Sequence, residues 1–332
     1  GMPYFAGRVL LADPSAPLDV ATAIFVGGLV YVPLCLFEIK MSPQLHIMVY
    51  GYHQHSFMQT VRMGGWRPTV FMQHGLMVAI WMISASIAGI WLWRTGAVQR
   101  LRGIQVGWLV IPLVVTAVLC KSVGAITLLA AGLAGLFAAK YVRTGIVLWA
   151  LLLFPLLYIP TRAFNVWSGE QLTEIMSVTG ETASGSLEFR LNNETLLAAQ
   201  ALKQPVFGWA GWGRSEARDA SGRSISVPDG MWIIALGQNG FVGLGALVAS
   251  MLLPVFLFLR RVRARDWSTP RYAGSAVLAC LLVLYMIDCL FNAMVNPIFI
   301  LAAGCLASQA RPLAATSPKV AQTKLKPRIS PA

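Results

Sequence analysis

Apolar stretches long enough to cross a hydrocarbon core of about 30 Å recur along this sequence, and they leave few folds open to it. They fall at about residues 19–37, 75–93, 104–120, 123–139, 144–160, 231–259, 272–291 and 297–310. A backbone immersed in lipid must satisfy its own hydrogen bonds, which helices do within a segment and closed barrels do between strands. The short alternating segments that a barrel requires are not found. The expected fold is therefore all-α, a polytopic membrane protein of about eight transmembrane helices forming one domain over 1–310. Residues 104–139 are too long for one crossing at ~1.5 Å rise per residue, and Lys121 with Gly124 marks the break. Composition agrees: 57% hydrophobic and 12% charged residues, with mean hydropathy +0.66, lie outside the balance of soluble domains.

Basic residues set the expected orientation. RTGAVQRLRG (94–103), KYVR (140–143), RRVRARDWSTPR (260–271) and the acid-free tail 311–332 all fall on one side of the eight-span arrangement. The positive-inside rule makes that side cytoplasmic and predicts a bacterial inner membrane. The outer face then carries two polar segments, 38–73 and 161–229, the second mixing eight acids with six bases. The tail, rich in Pro, Ala, Ser and Lys, reads as a disordered segment beside anionic lipid. The net charge of +13 is accounted for by these clusters, and no footprint of a nucleic-acid partner accompanies it. Five cysteines (Cys35, Cys120, Cys280, Cys289, Cys305) lie in apolar runs and read as small buried hydrophobes. Gly1 and Met2 precede the first apolar run without a signal-peptide pattern, which leaves open a fragment lacking upstream helices.

Within the long outer segment, GSLEFRLNNETLLAAQALKQ places Leu187, Leu191, Ala198 and Leu202 near helical spacing, with Pro205 as the stop. Arg190 and Glu194 are one turn apart and can simply pair. The following PVFGWAGWGR sets Gly208, Gly211 and Gly213 around Trp209 and Trp212. Such a turn suits either close approach by a flat or sugar-like ligand or an interfacial aromatic belt. Asp229 sits where the chain re-enters the membrane, where helix N-capping is the plain expectation. The shorter segment GYHQHSFMQTVRMGGWRPTVFMQHG holds His53, His55 and His74, with His46 just upstream. No acid or cysteine cluster accompanies them, so no metal is expected. Arg62 and Arg67 beside two glycines suit an anionic head group as well as ordinary membrane-flanking charge.

Ionisable residues inside a membrane are costly and point to function. Lys121 and Asp288 both fall near the outer ends of their spans, with Asn292 and Asn296 following Asp288 towards the same surface. Lys121 can pair with Asp288 or meet a phosphate, while Asp288 and Asn292 are candidates for a structural polar pair.

Taken together, Arg190 opening a loop helix, the turn Pro205–Gly208 with GWG after it, and DGMWIIALGQNGFVGL resemble the O-antigen ligase and oligosaccharide polymerase family of bacterial envelope enzymes. RMGGWRPTVFMQHG and KSVGA are similar to that family's preceding helix entry and small-residue turn, so the resemblance covers about 60–310. It implies a membrane glycosyltransferase of the C-type architecture. The donor would be a polyprenyl-diphosphate-linked oligosaccharide, the acceptor a glycan, lipid or protein, with no nucleotide sugar, cofactor or obligatory metal. Arg190, with Arg62 or Arg67, would face the diphosphate, with Lys121 as a further phosphate ligand. Asp229 would be the base and Glu194 its reserve. Trp209, Trp212 and the three glycines would shape the sugar site. Ligases of that family carry histidine where this chain has Asp229, which leaves ligase and polymerase both open. The rivals are a transporter or flippase for the same lipid-linked glycan, and a non-catalytic membrane scaffold.

Overall fold

The computed structural model describes residues 1–177, 181–211 and 213–309, the side chains at 176 and 181–183 aside. The tail expected over 311–332 lies outside them. The fold is mostly helical: α1 (Met2–Leu10), α2 (Ala16–Met41), α3 (Leu45–Tyr50), α4 (Gly75–Thr95), α5 (Val106–Leu119), α6 (Val123–Phe137, continued by a π turn to Val142), α7 (Ile146–Ala163), α8 (Glu170–Ser177), α9 (Glu181–Ala201), α10 (Met231–Arg261), α11 (Ala273–Phe291) and α12 (Pro297–Ser308). Two small antiparallel hairpins, β1–β2 (Val61–Arg62 with Gly65–Trp66) and β3–β4 (Arg100–Leu101 with Ile104–Gln105), interrupt the helices.

Six helices are long and apolar enough to cross a membrane: α2, α4, α6 with its π turn, α7, α10 and α11. The other two expected crossings, α5 and α12, are apolar but have only 14 and 12 residues, about 21 and 18 Å of helix. The expected break at Lys121 is present, with α5 ending at Leu119 and Lys121 in the left-handed region at φ +51°. Two boundaries differ from expectation. α2 runs on through Glu38 and Lys40 to Met41, and residues 2–10, which the apolar pattern passes over, form α1.

The centre of the bundle is α4 and α11, whose most apolar 18-residue stretches are each 89% buried, against 33–39% for the four other long helices. A helix apolar all round must be wrapped by protein or by lipid. α4 and α11 take the first course, and the outer helices turn Val30, Trp108, Ile111, Leu157 and Leu253 outward. Small residues let these helices approach closely, as packing in lipid favours. Gly28 of α2 sits against Ala85 of α4, and Gly132 of α6 accepts a hydrogen bond from Cys280 Sγ of α11 at 3.6 Å. α1 runs parallel to α12, Gly7 meeting the backbone at Leu301 and Gly304 that at Tyr4. All five cysteines are buried and unbridged.

The connections sort to two ends. At the basic end, Arg94 donates to Tyr141 Oη at 2.6 Å, Lys140 donates to Arg94 O, and Gly145 packs under Trp267. At the opposite, loop end lie α3, β1–β2, α8, α9 and residues 202–211 and 213–230.

Candidate functional site

The loop end is built around helix α9. Leu187, Leu191 and Ala198 are buried as the helical spacing predicts, but the helix stops at Ala201, before Pro205. Arg190 and Glu194 share a face one turn apart and do not pair. Glu194 is 3% exposed, and its carboxylate accepts from Tyr158 Oη (2.8 Å), Arg162 Nε (3.3 Å) and Trp232 Nε1 (3.2 Å). Arg162 also donates to the carbonyls of Trp167, Ser168 and Leu191 and to Thr195 Oγ1. This knot ties α7, α9 and α10 together. Burial raises the pKa of Glu194, opposed by hydrogen bonds from Tyr158 and Trp232 and by the charge of Arg162. A carboxylate with three donors already on it is a tie between helices rather than a free base.

Arg190 instead faces Asp229, with Nε 3.8 Å from Oδ2 and both side chains partly exposed. Asp229 does not cap α10. The cap position is Gly230, whose missing Cβ lets the chain press against the carbonyl of Leu290 at the end of α11. Burial raises the pKa of Asp229, and Arg190 pulls it back down.

Three more cations reach this end from other segments. Arg67 is 7% exposed and donates through Nη2 to Lys121 O at 2.8 Å. Burial first, then the positive charge of Arg62, with Arg190 adding to it, lowers its pKa to about 10. Lys121 donates through Nζ to the carbonyls of Arg62 (3.3 Å) and Met63 (3.2 Å) at the tip of β1–β2, where Gly65 leaves room for it. It makes no pair with Asp288, whose Oδ1 accepts from Asn292 Nδ2 at 2.8 Å. The Nε atoms of Arg62 and Arg67 are buried and, among the described residues, have no hydrogen-bond partner. Buried guanidinium donors without acceptors are unusual and mark a place where an anion would be welcome.

His74 caps α4, its Nδ1 accepting from Leu76 N at 3.1 Å, so Nε2 carries the proton and donates to Gln59 Oε1. Burial first, then His55, Arg67, Arg190 and Arg62, lowers its pKa to about 4. Glu38 staples the 42–74 segment to α2, accepting from the backbone N–H groups of Leu45, Thr69 and Val70.

The glycine-rich turn interlocks with α10. That helix breaks at Gly240 (φ +62°, ψ −166°), and the turn satisfies the amides and carbonyls the break frees. Trp209 N and Ala210 N donate to the carbonyls of Gly237 and Gln238, and Phe241 N and Val242 N donate to those of Pro205 and Val206. Gly208 sits at φ +72°, where a Cβ would lie 2.6 Å from the backbone nitrogens of Asn239 and Gly240. Trp209 is half-buried and donates through Nε1 to Gln200 O at 2.9 Å. Gly211 and Gly213 also have positive φ, and Trp212 lies outside the described residues.

The structure thus brings Arg62, Arg67, Lys121, Arg190 and Asp229 to one end, separates Glu194 from Arg190, and gives Gly208 and Trp209 partners within the protein. Arg162, Tyr158, Trp232 and Glu38 are missing from the sequence reading. The rule that singles out Lys121 and Asp288, an ionisable residue at the end of an apolar run, picks out Arg162 and Glu38 as well. No family model matches the chain, and no curated protein is similar enough to be matched.

Proposed function

We propose that this chain is a membrane glycosyltransferase of the O-antigen ligase or polymerase type. It would take a glycan from a polyprenyl-diphosphate carrier and pass it to an acceptor at the loop end. The observation that carries this reading is the gathering of Arg62, Arg67, Lys121 and Arg190, two of them with buried Nε atoms lacking acceptors among the described residues, beside the partly exposed carboxylate of Asp229. A diphosphate is a multiply charged oxygen ligand that such donors suit.

In the reaction, an acceptor hydroxyl attacks the anomeric carbon, the bond from that carbon to the diphosphate oxygen breaks, and the carrier leaves with the electron pair. Cations already in place stabilise the charge that develops on the leaving group. The hydroxyl proton passes to Asp229. Arg190 links the two halves of the chemistry. Its charge holds down the proton affinity of Asp229 in the empty site. A bound diphosphate that engages Arg190 relaxes that hold and makes Asp229 a better base. Glu194 and Arg162 position α9 and so aim Arg190. Gly208 and Trp209 fix the turn whose continuation at Gly211, Gly213 and Arg214 borders the sugar. With α5 and α12 counted as crossings, the basic end is cytoplasmic and the loop end faces outward from a bacterial inner membrane.

The test is transfer from a polyprenyl-diphosphate-linked oligosaccharide by purified protein in lipid, comparing the parent with Arg190→Ala and Asp229→Asn at matched folding. Loss of turnover in both variants supports the assignment. Retained turnover in Asp229→Asn moves the base elsewhere, and movement of the carrier across the bilayer without transfer overturns the enzyme reading.

A further inference from the structure

At the basic end, the first residues after α1 and helices α10, α11 and α12 enclose a hollow of about 630 Å³, within the ~300–1,000 Å³ that ligand sites commonly occupy. Arg261 and Arg271 stand at it, the latter with its guanidinium 5.3 Å over the Tyr272 ring. Ser275 and Ser308 add hydroxyls, and Pro254, Leu257, Phe258 and Leu306 form an apolar wall along α10 and α12. A smaller hollow of about 280 Å³, shared through Pro14, Arg271 and Ser275, adjoins it against the start of α2. Among the described residues, none lining either hollow is acidic.

We propose that this hollow binds an anionic phospholipid, its phosphate between Arg261 and Arg271 and an acyl chain laid against Pro254, Leu257 and Phe258. The site has the amphipathic layout such a ligand needs, with two cations at the end of the spans and an apolar wall running from them towards the middle of α10. Arginine is the residue that suits a phosphate at such a place. Basic pockets between transmembrane helices hold anionic head groups by the same combination. The chain's own continuation is a poor occupant. Residues 310–332 follow Gln309, which lines the hollow, and they carry five cations and no acid. Charge complementarity therefore favours an anionic ligand over that segment.

The proposal is tested by titrating short-chain phosphatidylglycerol, phosphatidylcholine of the same chain length, and inorganic phosphate into the purified full chain in neutral detergent, with thermal stability as the readout. Saturable stabilisation by phosphatidylglycerol alone is expected. Arg261→Gln/Arg271→Gln should weaken its apparent affinity at least tenfold, whereas Arg143→Gln/Arg263→Gln, an equal loss of charge at the same end outside the hollow, should leave it unchanged. Leu257→Trp, which fills the hollow without touching charge, should also abolish the effect and serves if the arginine pair fails to fold. Equal stabilisation by phosphatidylcholine, full stabilisation by phosphate alone, or equal weakening in both arginine pairs would overturn it.

Discussion

Replacing Glu194 by glutamine removes one charge and no volume from the knot that joins α7, α9 and α10, and the structure sets the size of the penalty. Oε2 accepts from Tyr158 and Arg162 while Oε1 accepts from Trp232, so all three neighbours are donors. An amide nitrogen placed at either oxygen meets a donor, leaving the Trp232 N–H unpaired at Oε1 or the Arg162 Nε–H unpaired at Oε2, at about 1–3 kcal/mol. Arg162 loses its counter-charge while 2% exposed, and breaking such a buried pair costs about 3–5 kcal/mol. The four oxygens that still surround Arg162 soften the second term, so the total should be about 3–5 kcal/mol. At roughly 2–3 °C per kcal/mol for a chain of this size, the melting midpoint should fall by about 6–15 °C. The five buried cysteines are natural reporters for a thiol-reactive dye during a thermal ramp in detergent. The double variant Arg162→Met/Glu194→Leu, which leaves no orphan charge, should be less damaged than Glu194→Gln or Arg162→Met alone. A shift below about 2 °C for Glu194→Gln, or additive losses in the double variant, would refute the claim that this pair is a closed structural tie.

Gly240→Ala should cost at least about 3 kcal/mol, since alanine is strained at φ +62°, ψ −166° by about 1–3 kcal/mol and its Cβ would sit 2.6 Å from Pro205 O, disrupting the turn's hydrogen bonds. The same dye assay checks it, against Gly245→Ala, where a Cβ meets open space. His74 is held neutral in the fold, with a pKa of about 4 against 6.5 when free, so its folded state binds fewer protons and stability falls as pH drops from about 6.5 towards 4. In His74→Asn, which keeps an N-cap acceptor, that part of the pH–stability slope should vanish, and an unchanged slope would contradict it. On the proposed mechanism transfer needs Asp229 ionised, and burial raises its pKa from the ordinary aspartate value while Arg190 lowers it, so the acid limb of the activity profile should be shifted upward and move higher still in the residual activity of Arg190→Gln. Millimolar inorganic pyrophosphate should raise the melting midpoint of the parent chain and not that of Arg62→Gln/Arg67→Gln, whose equal response would remove the anion site.

The spans were legible in the sequence because uninterrupted apolar length is a local property, and each of the eight apolar runs became a helix. The lengths of α5 and α12 were less so, because a polar turn such as Lys121–Ser122 ends a helix by backbone geometry rather than by composition. Pairings across the loop end lay beyond a reading of neighbours. Arg190 and Glu194 look like partners at one-turn spacing, yet the true partners are Asp229 and Arg162, 39 and 32 positions away. Asp229 has the position of a cap but not the role, because Gly230 must meet Leu290 and so takes the cap position itself. The glycines of the 208–213 turn were visible as a turn. That Gly208 exists to meet the break at Gly240 required the two segments side by side.

Surface loops normally absorb inserted residues with little harm. The turn at 205–210 should not, because its four hydrogen bonds to the break in α10 fix it to that helix in a single register. One added residue between Gln204 and Gly208 would slide every donor past its acceptor. The hairpin-like tip at 219–223, whose bonds stay within the loop, has no such registration. Length variation, affinity tags and fusion partners belong at that tip, and the turn behind Pro205 is a fixed-length pin.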